Sequence, residues 1–177
     1  GLNLRGRKNY GFDKLTEQAV EYVTSELESM RPDCSGDSEI ERLFYLALYA
    51  RTTFQPLDQP GFFVVKDDNR DKIFNYDWAK QAPFLIESQV HIGNRRVDFV
   101  VYVYLLESSN WKKLVVECDG HDFHERTKEQ AANDRSRDRS LQLDGYEVFR
   151  FTGSELWRDP WGCADQVIEW CDKAVMS

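Results

Sequence analysis

Cysteine, proline, histidine and methionine are all scarce in these 177 residues, at 4, 5, 3 and 2 copies, and each scarcity excludes something. Four widely spaced cysteines (Cys34, Cys118, Cys163 and Cys171) are too few for a disulfide-stapled miniature. With no signal-peptide pattern ahead of them they read as a reduced, intracellular thiol set. Positive charge is also short: 23 Lys and Arg stand against 31 Asp and Glu, a net charge of −8. That balance removes the simplest argument for non-specific nucleic-acid binding, so any such contact must be local. Long apolar runs are missing too. The longest, Val97 to Leu106, is broken by Asp98 and falls short of the roughly 20 residues of a spanning helix, so no membrane is expected. What is present, 41% hydrophobic and 14% aromatic residues, suits one globular domain with a proper core.

Gly1 to Arg7 is short, basic and without apolar rhythm, and reads as a scar or the trimmed edge of a longer polypeptide. From Phe12 to Met30 the apolar positions Leu15, Ala19, Tyr22, Val23, Leu27 and Met30 recur at three and four, predicting an amphipathic helix that packs one stripe. Pro32 ends it, and Asp33 to Asp37 reads as a linker. Ser38 opens a second helix with Glu41 at capping-box spacing and Ile40, Leu43, Phe44, Ala47 and Leu48 as its buried stripe, fading near Thr52. The pattern divides the chain into an N-terminal helical extension (1–37) and a main domain (38–177).

Residues 54–82, with Pro56, Pro60, Gly61 and the charged run Lys66 to Lys72, read as an irregular insertion or short hairpin. Three antiparallel strands then follow: Phe84 to Ile92, Arg95 to Leu106 after a Gly93-Asn94 turn, and Lys113 to Asp119 after a turn around Ser108 to Asn110. A polar helix from about Glu125 to Leu143 closes at Gly145, Tyr146 to Phe151 makes a further strand, and the Trp-rich stretch Ser154 to Val175 is helical. This order predicts an α/β layer fold: a mixed β-sheet of antiparallel hairpins plus one further strand, flanked by helices.

Carboxylates stand where strands should be apolar. Asp98 interrupts Val97 to Val101, and Glu117 and Asp119 end Leu114 to Gly120. Buried carboxylates are costly unless paired, hydrogen-bonded or bound to a cation. Alternation puts Glu117 and Asp119 on one face and turns Cys118 away. A hairpin centred near Ser108 and Ser109 sets Asp98 opposite Asp119 or one pair from it, bringing three carboxylates within reach. Such a cluster calls for a hard divalent cation, Mg2+ or Mn2+. His121 and His124 follow directly, placed for acid or base work beside the carboxylates. Lys128, Arg135 and Arg139 share one face of the next helix, where they could meet a phosphate backbone.

These segments, in order, resemble the PD-(D/E)XK, restriction-endonuclease-like nucleases: Ser38 to Glu41; Gln89 to Gly93 leading into Val97-Asp98-Phe99; Val116 to His124; Asp134 to Leu141; and Gly145 to Phe151. The branch most similar is that of the very short patch repair mismatch endonuclease and related small bacterial domains. The resemblance covers Ser38 to Leu156. It implies a restriction-endonuclease-like core and an intracellular, bacterial, Mg2+-dependent deoxyribonuclease of DNA repair or defence. It also implies roles residue by residue. Asp98, Glu117 and the carbonyl of Cys118 match metal ligands, Glu41 matches a helix glutamate that holds metal through water, and Gln89 matches the glutamine before the metal-binding aspartate. Asp119 and His124 match active-site positions of the repair branch. The sequence departs at one point: lysine is expected two residues after Glu117, and Asp119 stands there, so Lys128 or His124 must supply the cation or the proton for the leaving oxygen.

Blander readings sit beside these. Glu41 is also an ordinary capping-box residue, and Asp98 and Glu117 could form structural ion pairs with Arg95 or Arg96. His121 and His124 could cap the next helix. Cys118, His121 and His124 have half the spacing of a zinc site. The Lys128, Arg135, Arg139 stripe alternates with Asp134 and Asp138, as a solvated, salt-bridged face would. Trp157, Trp161 and Trp170 read as core or helix packing. An inactive nuclease-like domain that binds nucleic acid or a protein partner, within a larger assembly or parent chain, is the alternative function.

Overall fold

The computed structural model describes residues 10–30, 36–53, 62–120 and 128–176, side chains of 10–12 and 128–131 excepted. The chain divides into two compact units, Gly1–Cys34 and Ser35–Ser177. In the first, helix α1 runs from Tyr10 to Met30. Of its expected packed stripe, Val23, Leu27 and Met30 are half-buried, whereas Leu15 and Tyr22 are exposed.

In the second unit the elements are α2 (Glu39–Thr53), β1 (Phe63–Val64), α3 (Arg70–Ile73), α4 (Asp77–Lys80), β2 (Leu85–Ile92), β3 (Arg95–Leu105), β4 (Asn110–Asp119), α5 (Lys128–Leu143), β5 (Tyr146–Thr152), α6 (Gly153–Arg158) and α7 (Pro160–Val175). The five strands form one mixed sheet in sequence order, the expected α/β arrangement. β2, β3 and β4 are antiparallel neighbours, and β1 and β5 add at the two edges in parallel. The β2–β3 connection is the tight Gly93-Asn94 turn, where Gly93 takes a positive φ of 58° that glycine adopts without steric cost. A parallel partner needs a crossover rather than a hairpin, and α5 provides it between β4 and β5.

β-branched and aromatic residues make the central strands apolar on both faces, so helices must cover both. On one face the Phe44 ring of α2 lies 5.4 Å from Phe99 and 5.8 Å from Phe151. Helix α7 joins α2 there, burying Ala164, Val167 and Trp170, and Arg51 pairs with Asp165 across the two helices at 2.5 Å. On the other, Leu141 of α5 packs into the cluster of Val100, Tyr102 and Val115. Each such fully buried side chain contributes roughly 1.5–3 kcal/mol of transfer free energy. Among the described residues no helix is long and apolar enough to cross a membrane, and the three described cysteines, Cys118, Cys163 and Cys171, are free and buried.

Four expectations need correction. Within 54–82 the described part is neither hairpin nor purely irregular: it holds a two-residue parallel edge strand and two single-turn helices, while 54–61 lies outside the described residues. β4 begins at Asn110, three residues earlier than expected, because the turn spans Leu106 to Ser109. The C-terminal helix is two helices, broken where Pro160 disfavours helical geometry at Asp159; Asp159 then caps α7 by accepting from the Gly162 N–H at 2.9 Å. Finally, Trp157 and Trp161 are exposed; only Trp170 is buried, its indole N–H donating to Glu147 at 2.8 Å.

Candidate active site

The β3–β4 ladder pairs Phe99 with Val116, so the next step along both strands brings Asp98 level with Glu117. There the carboxylates enter the ladder themselves. The Cys118 N–H donates to Asp98 Oδ2 at 2.7 Å, and the Asp98 N–H reaches Glu117 Oε2 at 3.4 Å. Each acid thus accepts from the opposite strand where a carbonyl would otherwise do so, which lets the half-buried Asp98 and the buried Glu117 sit in an apolar sheet. The expected register set Asp98 opposite Asp119 or one pair from it, and the residue level with it is Glu117 instead. The β3–β4 turn is centred one residue earlier than expected, which shifts the partner by two and keeps the same face.

Asp119 is half-buried, and Arg150 of β5 lies 3.9 Å from it. Arg150 is the register partner of Glu117 and forms a two-atom bridge to Asp138 of α5, at 2.7 and 3.2 Å. Neither Asp98 nor Glu117 pairs with Arg95 or Arg96 among the described contacts. The cation on Glu117 is Arg137, its Nη2 2.6 Å from Oε1, and Arg96 pairs with Asp37.

Glu41 enters from α2 and is almost fully buried. It makes a variant of the expected capping box: its N–H donates to Ser38 Oγ at 3.2 Å, but its carboxylate accepts from the N–H of Asp37, at 2.8 Å, rather than from that of Ser38. The same carboxylate accepts from Ser38 Oγ at 2.9 Å and from Gln89 Nε2 at 2.5 Å. Gln89 sits in β2 level with Asp98, between the pairs Ser88–Phe99 and Val90–Val97, with a φ of 55°. A left-handed residue inside a strand costs of order 1–3 kcal/mol, and such outliers cluster at functional sites. Level with Asp98 on the neighbouring strand, Gln89 reaches Glu41 through its amide nitrogen.

Three buried side-chain polar atoms lack a hydrogen-bond partner among the described residues: Gln89 Oε1, Glu117 Oε1 and Arg137 Nε. All three belong to this cluster. The Arg137–Glu117 approach is an ion contact between Nη2 and Oε1 without hydrogen-bond alignment, so Oε1 keeps no hydrogen bond; Nη2 donates to the Arg96 carbonyl instead, and Nε has no partner among the described residues. Burial, then the Asp98 charge beside it, pushes the Glu117 carboxyl up to about 7, Arg137 and Arg150 only partly offsetting them. Asp98 is raised as well, by burial first and by Glu41, against the pull of the Cys118 N–H. Burial and the same carboxylates hold the Cys118 thiol well above its ordinary range.

Glu41, Gln89, Asp98, Glu117 and Cys118 therefore come together. Arg135 and Arg139 are exposed on α5, and Lys128 is that helix's first residue. His121 and His124 lie outside the described residues, as does the Lys128 side chain. Sequence reasoning missed Arg137, Asp138 and Arg150. A signal existed: Leu141 is the buried apolar anchor of α5, and Asp138 and Arg137 lie three and four residues before it, on the same face.

Among the described residues no three His, Cys, Asp or Glu side chains converge as a ready-made cation cage. Mg2+ does not need one, because it is commonly held by one or two carboxylates with water and substrate phosphates completing the shell. Glu117 Oε1, which takes no hydrogen bond among the described residues, and the neighbouring Asp98 carboxylate are hard oxygen donors that fit such an ion.

A scan of protein-family models matches residues 76–170, more than half of the chain, to REase_MTES_1575, a restriction-endonuclease-like family. No curated protein and no solved structure matches. The matched span holds Gln89, Asp98, Glu117, Arg137 and Arg150; Glu41 lies before it. On that match, and with a mixed five-stranded sheet presenting Asp98 and Glu117 side by side, the chain belongs to the restriction-endonuclease-like family REase_MTES_1575.

Proposed function

We propose that this chain is a Mg2+- or Mn2+-dependent endonuclease that hydrolyses phosphodiester bonds of nucleic acid, DNA above all, inside the cell in DNA repair or defence. The observation that carries the reading is the insertion of Asp98 and Glu117 into the β3–β4 ladder, with an unsatisfied oxygen between them and Arg137. These carboxylates and the Cys118 carbonyl would hold the ion. When bound, a divalent cation lowers the pKa of water and balances charge gathering on the phosphoryl oxygens. Glu41, fixed by Ser38 and Gln89, would orient a water toward the strand acids. Arg137 offers its unpartnered Nε to an entering phosphoryl oxygen. Lys128 or His124 would protonate the leaving oxygen in place of the missing motif lysine, and Asp119 lies beside Arg150. The likeness to the very short patch repair branch, in which the positions matching Asp119 and His124 lie in the active site, is part of this reading.

Supercoiled plasmid incubated with the protein in Mg2+, Mn2+ or EDTA tests the reading. Nicked or linear product is expected with metal only, and Asp98→Asn should lose about a hundredfold or more with its melting temperature preserved. Cleavage undiminished in Asp98→Asn would overturn the scheme. A second reading, a nuclease-like domain that binds without cutting, draws on the Arg137 contact, since a guanidinium on Glu117 can serve as a built-in counter-ion. Duplex binding without cutting in any metal would favour it.

A further inference from the structure

Arg137 belongs to two places at once. It touches Glu117, and with Arg95, Arg96, Asn133 and Ser136 it lines an open depression of about 410 Å³. Arg95 and Arg96 open β3 directly after the Gly93-Asn94 turn. Asn133, Ser136 and Arg137 lie at i, i+3 and i+4 on α5 and so share one face. The depression is held in shape by its own members: Arg95 Nη1 donates to the Arg137 carbonyl at 3.0 Å, and Arg137 Nη2 to the Arg96 carbonyl at 2.7 Å. In a molecule of net charge −8, no carboxylate among the described residues lines it. The Asp37 bridge to Arg96, at 2.8 Å, joins two half-exposed side chains and holds that guanidinium only weakly.

Three guanidiniums and two neutral polar side chains around one depression are chemistry for an anion that accepts hydrogen bonds on several sides. Guanidinium forks match phosphate oxygens, asparagine and serine add uncharged donors, and the buried Arg137 Nε lacks an acceptor in their midst. We propose that this depression binds a phosphate group of the nucleic-acid strand, next to the phosphodiester placed at Asp98 and Glu117. The inference rests on the nuclease reading and deepens it: Arg137 would couple the two positions, so that seating one phosphate aligns the next for attack. The phosphate could be an internal phosphodiester or a strand's terminal phosphomonoester, which share this recognition chemistry.

The test is fluorescence anisotropy of the full chain in EDTA, so that nothing is cut, with one duplex carrying a 5′-phosphate or a 5′-hydroxyl, titrated between 50 and 200 mM salt. Ser136 is exposed, so a charge there alters the depression and leaves the core alone. Ser136→Glu should weaken binding about tenfold and lower the salt slope by about one, and Ser136→Lys should strengthen binding about threefold. A reversal of sign is a signature that damage to the fold would not produce. Tighter binding of the 5′-phosphate duplex, lost in Ser136→Glu, assigns the site to a strand end; equal binding of both, weakened alike by Ser136→Glu, assigns it to an internal phosphodiester. Duplex binding indifferent to both substitutions overturns the subsite and leaves the nuclease reading to its plasmid test. Absence of binding by the unsubstituted chain to either duplex, together with no plasmid cleavage in metal, overturns both.

Discussion

At the scale of single residues the site is governed by unequal satisfaction of its acids. Glu41 takes three hydrogen bonds, Asp98 takes one backbone N–H, and Glu117 takes a long one and an oblique guanidinium. The least satisfied, Glu117, is the one pushed up to about 7 from the usual 4.5, by burial first and Asp98 second. Its folded value lies above its unfolded value, so the native state holds the proton more tightly. The stability this contributes is complete below about 4.5 and is lost as pH rises through about 7, with Asp98 acting in the same direction. The metal-free protein is therefore expected to melt at progressively lower temperature as pH rises across that window, and Glu117→Gln should flatten the slope. Added Mg2+ should raise the melting temperature more at pH 8 than at pH 5.5, because its ligands must be deprotonated. A scanning calorimeter reads both, and identical slopes for the parent chain and Glu117→Gln would refute the assignment.

At the scale of elements, α5 is strongly polar and, among the described residues, is held to the sheet by Leu141 in the core, Arg137 between Glu117 and the Arg96 carbonyl, Arg95 on the Arg137 carbonyl, and Asp138 on Arg150. Leu141→Ala should cost about 2–5 kcal/mol by denaturant unfolding. By loosening α5 it should also depress cleavage beyond what the lost folded fraction explains; activity per folded molecule equal to that of the parent would show that α5 does not set the site. How legible these elements were follows from where their information lies. β2, β3 and β5 could be read because β-branched and aromatic residues mark them locally, and the acids in β3 and β4 stood out against that background. The face of Asp98 and Glu117 was legible, but their register was not, since it depends on where a polar four-residue turn is centred. β1 was invisible because two residues carry no periodicity, and its partner lies twenty-two residues away. Arg137 was missed because one stripe of cations on a charged helix looks like another until a single buried leucine fixes which face turns inward, and Arg150 because its place beside Glu117 depends on the parallel β4–β5 register across a helical crossover.

At the scale of the molecule, 31 acidic residues against 23 basic ones mean that a polyanion is repelled overall and welcomed only locally. Screening decides which effect rules. At physiological ionic strength the Debye length is about 8 Å, so distant surface charge fades while charges lining the site do not. Within that radius the Arg95, Arg96 and Arg137 depression attracts a strand and the Asp98–Glu117 pair opposes it, with Arg137 touching both. A divalent cation on the acids would convert the second influence into attraction, so ion and strand should bind with positive coupling. Duplex affinity at pH 7.5 should accordingly rise about tenfold when EDTA is replaced by Ca2+, a hard cation with the same oxygen preference, any cutting being visible on a companion gel. The double substitution Asp98→Asn with Glu117→Gln should bind duplex in EDTA nearly as well as the parent does in Ca2+, and should ignore the ion, because it removes the charge that the ion would offset. Equal affinity of the parent chain in EDTA and Ca2+ would mean that the acids neither hold the ion nor face the strand, and the proposed division of the site into an ion-holding half and a phosphate-holding half would fall.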